Sequence, residues 1–160
     1  MNNYQFYKQE GSQYIFKNQP MFIAVPCIIF LIIAGLIFNS VRTGSYIIIM
    51  AVVALIMINF FTKKFIIDMD RKTITGKHTI FVPARTYPIE NFRNFNVLAT
   101  KYMGFITTNV ILSVYFEVDG KEKQLTIGQA LTHKGIQKMV NETEDIMNIN
   151  HPENGHLRPL

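Results

Sequence analysis

Met21-Phe-Ile-Ala-Val-Pro-Cys-Ile-Ile-Phe-Leu-Ile-Ile-Ala-Gly-Leu-Ile-Phe38 and Tyr46-Ile-Ile-Ile-Met-Ala-Val-Val-Ala-Leu-Ile-Met-Ile-Asn-Phe-Phe61 are two apolar runs without a charge, joined by Asn39-Ser-Val-Arg-Thr-Gly-Ser45. A helix needs about 20 apolar residues to cross a hydrocarbon core of ~30 Å. The runs reach that range when Gln19, Pro20 and Thr62 are counted as interface residues. So short a link makes the two helices antiparallel neighbours. The expectation is a transmembrane hairpin over residues 21–62, with spans 21–38 and 46–62. The alternative is a buried helical pair in a soluble protein. Buried soluble helices keep some polar positions, whereas Asn59 is the only strongly polar side chain in these runs.

Working outward, the flanks carry the charge. Lys8 and Lys17 precede the first run, Lys63 and Lys64 follow the second, and the link has only Arg42. Basic residues near span ends stay cytoplasmic, which places both termini inside a bacterial inner membrane as a multi-pass protein. Within the hairpin, Ala34, Gly35 and Ala51 match in depth and predict the point of close helix approach. The single cysteine, Cys27, has no partner for an intrachain disulfide.

Residues 1–20 are polar with interspersed aromatics, Tyr4, Phe6, Tyr7, Tyr14 and Phe16. They read as an interfacial segment, as a strand added to a later domain, or as a partly ordered tail. After Lys64 the pattern changes to short alternating segments. Asp70-Arg-Lys-Thr73 reads as a turn, and Leu112, Val114, Phe116 and Val118 share one strand face. Asp119-Gly120 is a tight-hairpin signal. Ile136, Met139, Val140, Thr143 and Met147 recur at helical spacing over roughly Leu131–Ile149, with Thr132 as a cap. Glu142, Glu144 and Asp145 sit where the helix dipole disfavours them, and nothing in the sequence compensates. Residues 150–160 read as a flexible tail.

The fold class is therefore α+β: a two-helix transmembrane hairpin, then a small antiparallel sheet or partial barrel over 63–149 closed by a C-terminal helix. Phe65-Ile-Ile-Asp-Met-Asp-Arg-Lys-Thr-Ile74, Tyr87-Pro-Ile-Glu-Asn-Phe92, Val110–Val118 with Asp119-Gly120, and the closing helix resemble a known family. It is that of bacterial membrane proteins with a two-span hairpin followed by a bacterial pleckstrin-homology-like domain. The resemblance covers Tyr46 to about Asn148. It implies a fold and a habit of binding or scaffolding, and no shared reaction.

Catalysis needs a nucleophile, base or metal in a supported site. The sequence has no Gly-rich phosphate loop, nucleophile elbow or metal motif, and its four histidines are scattered. Asp68 and Asp70 share a strand face beside a turn and read as solvated. The expectation is no enzyme, no cofactor and no metal. Formal charge is +5, and residues 63–101 hold eight Lys/Arg against three Asp/Glu. Lys63, Lys64, Arg71, Lys72 and Lys77 are the candidate lipid contacts, although a solvated basic turn suffices to explain them. No nucleic-acid motif accompanies the charge. Tyr102, Met103 and Phe105 surround a glycine between two strands, as a partner contact or as core.

These readings converge on a membrane-anchored scaffold, an accessory subunit of an envelope complex presenting its domain to a protein partner or to copies of itself. The alternatives are an oligomeric pore component and a peripheral sensor of anionic lipid.

Overall fold

The computed structural model describes residues 4–38, 44–102 and 106–149. In chain order it contains β1 (Tyr7–Glu10), β2 (Gln13–Phe16), α1 (Met21–Phe38), α2 (Gly44–Thr62), β3 (Lys64–Asp68), β4 (Thr73–Lys77) and β5 (Arg85–Pro88). A 3-10 turn at Ile89–Asn91 leads to β6 (Phe92–Tyr102), β7 (Ile106–Val118), β8 (Lys121–Ala130) and α3 (His133–Met147). The chain divides into two compact units. One contains the sheets and α3. The other contains α1, α2 and the segment Thr79–Pro83.

The sheet unit holds a five-stranded antiparallel meander, β1-β2-β3-β4-β5, and a three-stranded one, β6-β7-β8. Both are open, which corrects the expected pleckstrin-homology-like partial barrel. The α+β composition stands. Nor does the larger sheet begin after the helices. The aromatic N-terminal segment forms the hairpin β1–β2, and β2 pairs with β3 through Gln13↔Asp68, Tyr14↔Ile67 and Ile15↔Ile66. The helical pair is thus carried in the connection between two neighbouring strands.

Alternation sets which residues enter the core. On β7, Val110, Leu112, Val114 and Phe116 are fully buried, as are Ile67 of β3 and Ile74 of β4. Tyr7 and Phe16 join them from the N-terminal hairpin. Gly128 makes room for Phe16, because a Cβ there would stand 2.5 Å from its Cζ. The turn at Asp119-Gly120 has positive φ at both residues, 53° and 69°, as a tight hairpin requires.

α3 buries Ile136, Met139, Val140, Thr143, Ile146 and Met147. Its cap is Thr132, whose hydroxyl accepts the Gly135 N–H at 3.2 Å. The acidic residues late in α3 acquire a purpose here. Glu142 accepts the N–H groups of Gln5 at 3.0 Å and Phe6 at 2.9 Å, and the Tyr4 hydroxyl donates to Asp145. Tyr7 lies 2.7 Å from the Thr143 hydroxyl. Thr143 gives its own proton to the Met139 carbonyl, so Tyr7 is the donor. Burial pushes the Tyr7 phenol well above its ordinary range.

In the helical unit, Cys27, Ala34 and Val53 are buried. The expected close approach at Gly35 and Ala51 is not the one formed: Gly35 has open space around it, and Ala51 is exposed. Among the described residues no helix is long and apolar enough to cross a membrane. α1 has 18 residues and α2 has 19. Gln19 and Pro20, counted toward the first span, precede the helix, where the Pro20 carbonyl accepts from Ile23 and Ala24. The expected transmembrane hairpin, the multi-pass inner-membrane location and the cytoplasmic placement of both termini are corrected accordingly. The link residues 39–43, including Arg42, lie outside the described residues, as does the tail 150–160.

Phe116→Ala should cost about 3–5 kcal/mol of stability in denaturant unfolding. Glu117→Ala should cost at most about 1 kcal/mol, because Glu117 pairs with Arg93 at the surface. Tyr7→Phe should cost about 1 kcal/mol through the lost hydrogen bond to Thr143.

Candidate functional site

Among the described residues, hydrogen bonding leaves four strands at sheet edges: β1 and β5 in the larger sheet, β6 and β8 in the smaller. An edge presents unpaired N–H and C=O groups to any extended chain that approaches it. Three of these edges are blunted. β1 and β5 have four residues each; β1 carries the Lys8–Glu10 ion pair at 2.7 Å, and β5 ends in Pro88. β8 opens with Lys121-Glu-Lys123, charges that disfavour an added strand, while α3 packs on its face, with Gly128 close to Met139.

β6 differs. It has 11 residues and, among the described residues, pairs only with β7. Its register is continuous from Asn94↔Tyr115 to Thr100↔Asn109, between irregularities at Phe92/Asn94 and Thr100/Lys101. Phe95, Val97 and Ala99 pack against the core yet stay partly exposed. On the opposite face Leu98 is 59% exposed, beside its cross-strand neighbour Ile111. Asn96 donates to the Tyr115 hydroxyl at 3.2 Å. Sequence reading recognised Phe92–Thr100 as extended but did not mark it as an edge. Strand order, which decides that, is a non-local property.

The residues singled out from sequence do not gather into one site. Tyr102 ends β6, while Met103 and Phe105 lie outside the described residues. Lys64 and Lys77 stand directly opposite each other on β3 and β4, an unfavourable like-charge pairing. Arg71 and Lys72 occupy the turn at the far end of the same ladder, some ~17 Å along the strand at about 3.3 Å per residue. Lys63 closes α2, its N–H donating to the Phe60 carbonyl. The expected lipid-contact cluster is therefore divided. In the helical unit, the Asn59 carboxamide oxygen accepts the Ile80 N–H at 3.1 Å, and Phe81 beside it is 87% exposed.

Asp68 and Asp70 have separate surroundings. Asp68 accepts the Arg71 N–H at 2.9 Å and the Gln13 side-chain amide at 2.8 Å, and so ties the β3–β4 turn to β2. These hydrogen bonds, the Arg71 N–H first, hold its carboxyl below the ordinary 3.8. Among the described residues, no three His, Cys, Asp or Glu are grouped to hold a metal ion.

No family model, curated protein or solved structure matches the chain. The two open sheets, and the lack among the described residues of a helix long and apolar enough to cross a membrane, overturn the resemblance to the bacterial hairpin-plus-pleckstrin-homology-like proteins. The roles that rested on a membrane go with it: the anchored envelope subunit, the oligomeric pore component, the anionic-lipid sensor and the bilayer as partner.

Because the Asp68 pKa is depressed on folding, its stabilisation is fully present above the unfolded value and lost as pH falls through the folded one. The stability of the sheet unit against unfolding, followed from pH 6 to pH 2 (about the span of carboxylate titration), should fall below the ordinary 3.8. Asp68→Asn should lower stability at pH 6 and flatten that loss.

Proposed function

We propose that the chain is a non-catalytic protein-recognition module whose binding surface is the β6 side of the three-stranded sheet. The observation that carries this reading is the contrast among the edges. β1 and β5 are short, β8 is charged at its start, and β6 is long and apolar along about half its residues, with an unbroken register from Asn94 to Thr100. A sheet edge of that kind is a recurrent platform for protein contacts. The exposed Leu98 adds an apolar centre to it. The nearest ion pair, Arg93–Glu117, lies at the rim and contributes little.

The test is selection of random peptides, about ten residues long so as to match β6, on the immobilised full chain with its apolar helices covered by mild detergent. Peptides should be retained by the native chain and lost on Leu98→Lys, a surface change that leaves the melting temperature in place. Selection of nothing, or of peptides indifferent to Leu98→Lys, would contradict the reading.

A further inference from the structure

Building on the recognition-module reading, we infer that the partner is an extended, uncharged segment of another protein, which joins the β6–β7–β8 sheet as a fourth strand alongside β6. Three observations fix its chemistry. First, with β7 on one side only among the described residues, alternate N–H and C=O groups of Asn94–Ala99 point away from the sheet, and an added backbone satisfies them. Second, the uninterrupted register covers all of Asn94–Ala99, room for a segment of about six residues, or ~20 Å. Third, that run contains no charged residue, so a charged side chain laid along it would lose water without gaining a partner.

The two faces of the edge then dictate an alternating pattern. Phe95, Val97 and Ala99 form the last row of the core and are only partly covered. Side chains of the incoming strand on that face must be apolar. On the other face, Asn94 and Asn96 call for neutral polar neighbours and Leu98 for one apolar neighbour. A second copy of β6 fits less well. Antiparallel self-pairing centred on Val97 would set Asn96 opposite Leu98, leaving each without the neighbour that suits it.

The experiment takes a peptide selected on the full chain and follows backbone hydrogen exchange with and without it. Strand addition predicts slower exchange at alternate amides within Asn94–Ala99. It also predicts that N-methylating alternate peptide bonds weakens binding roughly tenfold or more, while methylating the intervening ones does not. A peptide that binds without protecting those amides, or that tolerates every N-methyl group, overturns strand addition and leaves the recognition reading standing. Failure to select any peptide overturns both. A chain that proves dimeric, with those amides protected in the absence of peptide, makes the occupant a second copy and overturns the inferred partner.

Discussion

The sheet unit depends on burying Tyr7 and Phe16 among residues that follow the helices in sequence. Those two rings enter a core built from β3, β4, β7, β8 and α3, and they sit edge to face at 5.4 Å between centroids. Bringing them there means closing the connection from Lys17 to Lys63. Relative to a tight turn, that closure costs on the order of 2 kcal/mol, because loop entropy grows only logarithmically with length. Burying two aromatic side chains returns about 1.5–3 kcal/mol each, so the closure is favourable before any backbone hydrogen bond is counted. Asn18 also holds the base of the connection, its side-chain amide donating to the carbonyls of Phe60 and Lys63 at 3.3 and 3.2 Å.

The same contact accounts for the charges on α3. A carboxylate near a helix C-terminus is unfavourable by itself, yet Glu142 accepts two consecutive N–H groups of the chain entering β1. Lys17 completes the arrangement by donating to the carbonyls of Tyr4 and Gln5. With both backbone polarities satisfied, this end of the meander is closed. β6, an edge of the other sheet among the described residues, takes no part in this arrangement.

Local chemistry was legible in the sequence. The Leu112–Phe116 alternation, the Asp119-Gly120 turn and the Thr132 cap each depend on a few adjacent residues, and each occurs where expected. Non-local pairing was not legible. Residues 4–17 offered three readings, because nothing nearby shows that their partner strand begins at Lys64. Glu142 and Asp145 on α3 lacked compensation for the same reason, since their donors lie at Tyr4, Gln5 and Phe6. The apolar runs were legible as two helices, and α2 extends from Gly44 through Thr62, but among the described residues no helix is long and apolar enough to cross a membrane. They form a pair with Ile28, Ile32, Leu36, Ile48 and Leu55 exposed. The β6 edge followed only once strand order was known.

The central claim is that the sheet unit is discontinuous in sequence and needs the N-terminal hairpin but not the helices. The direct measurement compares two shortened chains in denaturant unfolding and amide exchange. In one, residues 18–63 are replaced by Asn-Gly, a turn suited to a two-residue hairpin between Lys17 and Lys64. The other simply starts at Lys64 and lacks β1 and β2. The first should unfold cooperatively and protect the amides of β7. The second should show neither property. Equal stability of the two chains would contradict the account.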